Sequence, residues 1–452
     1  MPLLDGQSEV DSVSMFVRGL DLEIKTWQSY SIRHDFLTPT AAFDFVFSTN
    51  SPLAYNEVFV EGAEVQIFVE GTEQMTGTIE KVEQSANREG GVTYKLSGRD
   101  FLGPVVSASI DPKVRISANQ TVFDFLTLVL GPYGIGKIYI GDDINYSVVT
   151  GFLKGKGKPQ TKTSQVKELA SRKISADGKS AELVYKTSTF TQLISRNRPD
   201  LKAIPLDQLK PKIGDGAMQV IERLLSRLGL QMFAAADGTG VIVDKPDFET
   251  APIHRIVRRF NGDAENNVED GTRSVDAESQ PCYVLAVGQS SGSDMAKIRL
   301  KAIAVNELVA VNPDGSFAPY VQDVIARYPG VKVLPLRQKL IPSTDRIVSR
   351  RKPVPLLLKD DESKSLEQIA AFARRKLSEY QRRYLTATYV VKGHTYGDAY
   401  PYAINTNVDV DDDFLGIHET LWCIGRTFTK SRDAGTKTEL TLIRPYTLEL
   451  GQ

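Results

Sequence analysis

A run of short segments with alternating apolar and polar side chains constrains the fold of this chain more than any other feature. Residues 42–47, 65–69, 77–82 and 92–98 follow this pattern in part or throughout, with turn residues such as those at 87–91 between them. Alternation with a period of two residues predicts β-strands that bury one face. Short strands with turn signals every ~8–12 residues predict a small antiparallel barrel or sandwich.

Helical periodicity follows in the middle of the chain and again near its C-terminal end. Residues 121–130, 215–229 and 365–384 are predicted helices. The clearest of them places five apolar residues on one face, namely Met218, Ile221, Leu224, Leu225 and Leu228. Gly229 is suited to end that helix, and a hairpin is predicted over residues 230–243.

More strands are predicted after a polar segment at residues 261–280, which we interpret as a linker. Residues 283–287 and 298–305 are predicted to pair with each other. The last predicted strands cover residues 385–391, 406–410, 419–429 and 438–444.

The length of 452 residues predicts about three domains. We place them at residues 1–113, 114–275 and 276–452, the middle one with a basic insertion at residues 147–212. The predicted fold class is β-rich α+β, with two small antiparallel β-barrel domains that carry inserted helical and α+β segments. This division leaves open whether the domains exchange strands.

Charge is distributed unevenly along the chain, although its net value is only -1. Residues 147–212 contain 14 Lys and Arg against 5 Asp and Glu, a net of +9, which leaves -10 for the rest. The segment has weak periodicity and is predicted to be an inserted basic loop or arm. It is either a solvated loop or an arm that docks onto an acidic surface of a neighbouring protein. The candidate partner-binding residues are Lys154, Lys156, Lys158 and Lys162.

Specific nucleic-acid binding is not predicted, because this strip lacks the interleaved aromatic side chains on which single strands stack. The sequence also shows no signal peptide and no apolar run long enough to span a membrane. We therefore expect a protein that is made and kept in the cytosol, unless lysis or assembly releases it.

Three short motifs resemble sites of chemistry, but their contexts argue against each of them. Residues 131–137 match the start of a phosphate-binding P-loop, yet Ile138 stands where Ser or Thr must hold magnesium. Residues 288–292 match the G-x-S-x-G nucleophile elbow, yet a returning strand is predicted where a helix must follow. Residues 409–416 resemble a calcium loop, yet Trp422 stands where a bidentate glutamate is needed. We interpret them as a helix end, a hairpin loop and an exposed acidic loop.

The remaining residues with distinctive chemistry are isolated in the sequence. Cys282 and Cys423 form no metal-binding pattern, and two free buried thiols are favoured over a single bridge. No metal-binding spacing connects the histidines, which are His34, His254, His394 and His418. The sequence thus predicts no catalytic residue, no metal site and no cofactor.

A conjunction of weaker signals covers most of the chain. The first region has Trp27 in a strand and ends in Ser-Gly-Arg-Asp at residues 97–100. The other two regions contain the segments at 133–135, 220–230, 237–238, 283–288, 374–383, 389–393 and 439–442. In this order the segments resemble the baseplate hub family of Mu-like contractile phages, which is related to the hub domains of type VI secretion spikes.

The resemblance implies a non-enzymatic structural protein of the virion, located in the tail baseplate and assembled in the host cytoplasm. It implies two similar barrels per subunit and a homotrimeric ring with a central channel, which joins the tail tube to the spike. The implied partners are tail tube or tape-measure proteins, the central spike protein and neighbouring baseplate proteins. The segments at 147–212 and 306–350 depart from shorter family members and are expected to be insertions. Two other functions stay open, a tail-associated cell-wall hydrolase and a β-rich module that binds a host surface or carbohydrate.

Overall fold

The structure is a computed structural model of the chain. It describes residues 12–18, 22–49, 55, 58–87, 91–111, 122–135, 138–140, 160–174, 181–194, 211, 214–238, 240–262, 265–276, 278, 280–289, 299–312, 314–336, 354–360, 363, 365–396 and 400–448. For residues 160–174 and 181–194 the description covers the backbone only.

The N-terminal region is built from seven strands, and the predicted strands there are confirmed. Phe43, Phe45 and Phe47 are buried on one face because they alternate with half-buried residues along their strand. The strands are β1 (Val13–Val17), β2 (Leu22–Ile24), β3 (Ser29–Asp35), β4 (Ala42–Thr49), β5 (Glu64–Val69), β6 (Thr72–Asn87) and β7 (Gly91–Asp100).

The middle region mixes helices with short strands around a second core. Its elements are α1 (Gly103–Ser107), α2 (Val122–Leu130), β8 (Ile138–Ile140), β9 (Gln160–Ile174), β10 (Ala181–Ile194), α3 (Ala217–Leu228), β11 (Gln231–Ala234) and β12 (Val241–Asp244). The apolar face of α3 packs into this core, which also takes in α1, α2 and β8. Gly229 ends α3 with a φ of 72°, a left-handed conformation that glycine adopts without strain.

The basic segment is not a loop throughout, as one sequence interpretation had it. β9 and β10 pair antiparallel over most of their length and form a two-stranded sheet of their own. The periodicity of a strand in a sequence reports the burial of one face, which a two-stranded ribbon does not require. This explains why the strands escaped prediction.

The C-terminal region holds the remaining elements. They are β13 (His254–Arg258), β14 (Val268–Val275), β15 (Tyr283–Gln289), β16 (Arg299–Val305), α4 (Glu307–Ala310), α5 (Pro319–Arg327), β17 (Lys332–Val333), β18 (Pro355–Asp360), α6 (Leu366–Gln381), β19 (Leu385–Lys392), β20 (Thr395–Tyr396), β21 (Tyr400–Pro401), β22 (Thr406–Asp412), β23 (Ile417–Ser431) and β24 (Gly435–Ile443). The α6 helix packs its apolar face on the four-stranded sheet β17-β16-β15-β18.

The β-rich α+β class is confirmed, but the two separate closed barrels are not found among the described strands. A single 13-stranded sheet runs through both halves of the chain in the order β14-β19-β24-β23-β3-β4-β7-β6-β5-β1-β2, with β22 beside β23 and β13 beside β22. β3 and β23 join the halves through an antiparallel ladder. In the C-terminal half, β13 is hydrogen-bonded to the residues just before β14, where Val257 and Asn267 exchange hydrogen bonds.

The polar linker predicted at residues 261–280 is also wrong, because β14 lies within it. β14 pairs with β19 along its length and forms one end of the large sheet. Its side chains are exposed or half-buried, so the segment lacks the apolar alternation by which a strand is recognised.

One hydrophobic core spans both halves of the sheet and extends into the region predicted as an insertion at 306–350. Leu308, Val309 and Ala310 of α4 are fully buried in it together with Val321 of α5. Cys282 and Cys423 are buried free thiols, as favoured from the sequence. None of the described helices has the length and apolar character needed to cross a membrane.

Candidate functional site

β13 and β22 end together at a surface that exposes two aromatic side chains. Phe260 is 66% exposed and Phe414 is 57% exposed, and their ring centroids lie 4.5 Å apart. The guanidinium of Arg258 lies 5.2 Å from the Phe414 ring. We call Phe260, Phe414 and Arg258 the aromatic tip. Exposed aromatic and arginine side chains of this kind are the usual anchors of protein interfaces.

A buried ion pair holds the aromatic tip in place. Arg258 donates to both carboxylate oxygens of Asp412 at 3.1 and 2.8 Å, and Asp412 is fully buried. Tyr389 donates its hydroxyl to the same carboxylate at 3.1 Å. Burial raises the pKa of Asp412, but the hydrogen bonds from Arg258 and its neighbours outweigh this and hold the pKa below its usual value. Asp412 also accepts from the backbone N–H of Phe414 at 2.9 Å, which fixes the turn that carries this ring.

Charged residues border the aromatic tip. Asp411 accepts from Arg259 at 2.6 Å and lies 2.8 Å from the Nδ1 of His418. Hydrogen bonds from Arg259, and then from His418, lower the pKa of the Asp411 carboxyl. Asp411, Asp413 and His418 could together face one metal ion, since their ligand atoms lie within 4.8 Å of one another. Because Arg259 already neutralises Asp411, we interpret this group as an ion-paired surface, in agreement with the acidic loop predicted between two strands.

A second polar group lies inside the molecule, where the two halves of the sheet meet. Arg426 of β23 donates to the side chain of Gln74 at 2.8 Å and to the carbonyl of Tyr402 at 2.7 Å. Its guanidinium lies 4.0 Å from the centroid of the Phe428 ring. Burial lowers the pKa of Arg426 to about 10, so the group stays charged at neutral pH. Since Gln74 belongs to β6, this arginine links the N-terminal half to the C-terminal half.

Two neutral histidines accompany Arg426. His394 is fully buried, 2.7 Å from the hydroxyl of Tyr30 and 3.1 Å from that of Thr438. Burial, and then the charge of Arg426, lower the pKa of His394 to about 3 and that of His254 to about 4. Packing and hydrogen bonds account for the His394 ring. The His254 ring accepts from the backbone N–H of Ala403 at 3.3 Å, and its buried Nδ1 has no hydrogen-bond partner among the described residues. Neither ring is accessible to a substrate from solvent.

The structure also places the rejected motifs. β15 and β16 pair antiparallel up to Gln289 and Arg299, so a returning strand follows the G-x-S-x-G motif, as predicted. Ser290 itself lies outside the described residues. The P-loop-like sequence is a helical turn at residues 131–133 followed by β8, which agrees with the predicted helix end.

The structure does not describe the side chains of the candidate lysines in the basic segment. Lys154, Lys156 and Lys158 lie outside the described residues. Lys162 lies in β9, for which the backbone alone is described. Sequence reasoning missed the aromatic tip, although Phe260 and Phe414 each follow a charged run at a strand end, where an apolar side chain is unexpected.

Comparison with known proteins links the N-terminal half of this sheet to a phage family. Residues 12–100 match the family described as "Mu phage baseplate assembly protein GpP-like, N-terminal". This segment covers β1 to β7. No curated protein matches the chain.

Two solved structures share the fold over nearly the whole chain. A tail protein from Neisseria meningitidis MC58 aligns with a TM-score of 0.63 and 19% identity, covering 98% of this chain and 100% of that one. The 43 kDa tail protein of prophage MuSo2 from Shewanella oneidensis aligns with a TM-score of 0.61 and 15% identity, covering 97% and 100%. The resemblance found in the sequence is thereby confirmed: residues 12–100 are similar to the N-terminal domain of the Mu phage baseplate assembly protein GpP-like family, and the chain shares its fold with these two tail proteins.

Proposed function

We propose that the protein is a non-enzymatic structural hub subunit in the baseplate of a contractile phage tail. In this role three copies form a ring that joins the tail tube to the central spike and leaves a channel. The observation that carries the proposal is the family match over residues 12–100, located in a sheet that continues into the C-terminal half. The proposed location is the virion, after assembly in the host cytoplasm.

The architecture suits a subunit that must transmit force without bending. The β3–β23 ladder, the shared core and the Arg426 link connect the two halves of the sheet directly. A ring is built by repeating one contact between subunits, so each subunit has to present the same surfaces in fixed relation. A continuous sheet meets that requirement better than two barrels on a linker.

The aromatic tip is our candidate for a contact with a neighbouring protein, such as the spike, the tube, a tape-measure protein or another baseplate component. Two exposed phenylalanines bordered by ion pairs have the anatomy of an interface, an apolar centre with a polar rim. The buried Arg258–Asp412 pair fixes their position before binding, which lowers the entropic cost of association.

The basic segment at residues 147–212 is proposed as an arm that docks onto an acidic surface of an adjacent baseplate component. Its support is the net charge of +9 beside a body of -10. Complementary charge of this kind speeds docking and sets orientation. Deletion of residues 150–200 should leave the rest of the chain folded and trimeric, but impair baseplate assembly in a salt-sensitive way. Fully infectious particles made with the deletion would disprove the docking role.

Immunogold labelling of intact particles with antibody against the whole chain tests the proposed function. We expect label at the end of the tail distal to the head, and label along the tube or on the head would contradict a hub role. Purified protein should leave peptidoglycan intact in a zymogram. Clearing that is lost on Ser290→Ala would instead establish a hydrolase.

A further inference from the structure

A cleft of about 610 Å³ lies between α3 of the middle region and α6 of the C-terminal region. The α3 wall contributes Glu222 and Arg223, and the α6 wall contributes Arg375, Glu379 and Arg382. The remaining lining residues are Leu37, Gln219, Ser226, Gln231, Lys376, Ser378 and Leu448. No aromatic side chain is among them.

The cationic groups of the cleft outnumber its acids, and two of them have no acid of their own. Lys376 donates to both oxygens of Glu379 at 2.8 and 3.0 Å, which engages that carboxylate along the helix. Arg375 and Arg382, both half-buried, form no ion pair within 4 Å of a carboxylate in the described part of the chain. More distant carboxylates still favour their charged forms: Glu379 for both, Asp360 for Arg375 and Asp35 for Arg382. Burial lowers the pKa of each guanidinium, because partial removal from water disfavours the charged form.

Arg375 and Arg382 lie on one face of α6. Arg375 and Arg382 are seven residues apart, and the helical conformation continues through Arg382. Two turns of helix put them on the same face, about 10 Å apart along the axis. Side chains two or four residues apart on an extended chain point the same way and lie about 7 or about 13 Å apart, so acids at either spacing are within reach of the two long arginine side chains. Arg223 lies on the opposite wall, 3.8 Å from Asp215 at its nearest approach.

We infer that this cleft binds an extended, carboxylate-rich segment of another protein, with Arg375 and Arg382 each paired to an acidic side chain. Guanidinium groups form two parallel hydrogen bonds to a carboxylate, and half-burial strengthens such pairs relative to open surface. The segment would lie along α6 and face Arg223 across the cleft. Binding of such a segment depends on the lining of the cleft and does not rest on the proposed hub role.

A nucleic-acid strand fits the same cleft less well. Glu222 and Glu379 would face a continuous phosphate backbone, whereas a peptide with separated acids can avoid them. The lining also lacks the aromatic platforms on which unpaired bases stack.

Fluorescence anisotropy of a labelled peptide in which six glutamates alternate with glycines, mixed with the purified full-length chain, tests this inference. The wild type should bind it, and added salt should weaken the affinity. Arg375→Gln combined with Arg382→Gln should weaken binding at least ~10-fold, because each loss strands a carboxylate. Arg383→Gln is the matched control, since Arg383 is exposed and does not line the cleft, and should leave affinity unchanged.

A second variant, Arg223→Gln on the opposite wall, should also weaken binding, so the test does not depend on the folding of one variant. Unchanged affinity in the double variant and in Arg223→Gln would overturn the inference, as would absence of binding by the wild type. If an oligothymidylate of equal charge bound more tightly and displaced the peptide, the ligand of the cleft would be nucleic acid and not an acidic protein segment. The immunogold test of the hub role does not depend on the cleft, so its result neither supports nor contradicts peptide binding there.

Discussion

The two halves of the large sheet are stabilised by different interiors. In the N-terminal half, Trp27 and Phe45 pack with ring centroids 4.4 Å apart, and Phe47 stacks on Tyr94 at 5.1 Å. The C-terminal half has buried aromatic side chains as well, and in addition it buries an ion-paired carboxylate, Asp412, and a guanidinium, Arg426, which is only 6% exposed. Aromatic packing contributes without regard to protonation, whereas buried ion pairs and neutral histidines depend on it.

The titratable groups sharpen this contrast. Burial raises the pKa of Glu73 and of Asp100, both in the N-terminal half, to about 7. Burial lowers the pKa of His254 to about 4 and that of His394 to about 3 in the C-terminal half. Mild acid therefore disfavours the C-terminal half through His254 and His394, whereas Glu73 and Asp100 respond in the opposite direction in the N-terminal half. There His34 of β3 opposes them, because burial, and then the charge of Arg426, lower its pKa to about 3.

The largest expected effect is on the aromatic interior. Phe45→Ala removes a fully buried ring that contacts Trp27, Tyr30 and Phe43. We expect the free energy of unfolding to fall by about 3–5 kcal/mol in urea denaturation, with the same loss at pH ~5 and ~7. Val46→Ala, on the half-buried face of the same strand, is the control and should cost less. A loss that depends strongly on pH would break the contrast between the halves.

The next effect concerns the buried ion pair. Asp412→Asn leaves the Arg258 guanidinium without its carboxylate and should lower the free energy of unfolding by about 3 kcal/mol. The matched control is Asp44→Asn, whose partner Arg33 is 60% exposed, and it should cost about 0–1 kcal/mol. Equal losses in the two variants would show that the C-terminal interior does not depend on its charge pair.

The pH prediction follows from the sign of each shift. His254 and His394 have folded pKa values below the unfolded value, so their stabilising contribution is complete above pH ~6.5 and is lost as pH falls toward ~4. Glu73 and Asp100 are shifted upward, so their contribution is present below pH ~4 and is lost as pH rises through ~7. Between pH ~7 and ~5, amide exchange corrected for intrinsic rates should show β19 losing protection while β7 keeps or gains it. An equal loss of amide protection in β19 and β7 would contradict this prediction.

The smallest stability effect is expected at the aromatic tip. Phe260→Ser and Phe414→Ser remove exposed rings, so each should change the free energy of unfolding by less than about 0.5 kcal/mol. The same changes should weaken association with neighbouring tail proteins in pull-down from assembling particles. Val275→Ser, an exposed apolar residue on β14, serves as the control. Wild-type association in both phenylalanine variants would remove the aromatic tip as a contact.

The two halves also differ in how much of their structure could be predicted from the sequence. Strands such as β4 are predictable because one apolar face and a period of two residues are local properties. β14 was missed because most of its side chains are polar and none is buried. The β3–β23 ladder was missed because its strands come from opposite ends of the chain. Arg426 and the aromatic tip could not be assigned because burial of a charge and exposure of a ring are properties of the folded chain alone.

Native mass spectrometry of the full-length chain, alone and mixed with the spike protein of the same particle, tests the central claim most directly. The hub role predicts a trimer in at least one of the two conditions, with each copy retaining the continuous sheet. A strictly monomeric or dimeric species in both conditions would contradict it.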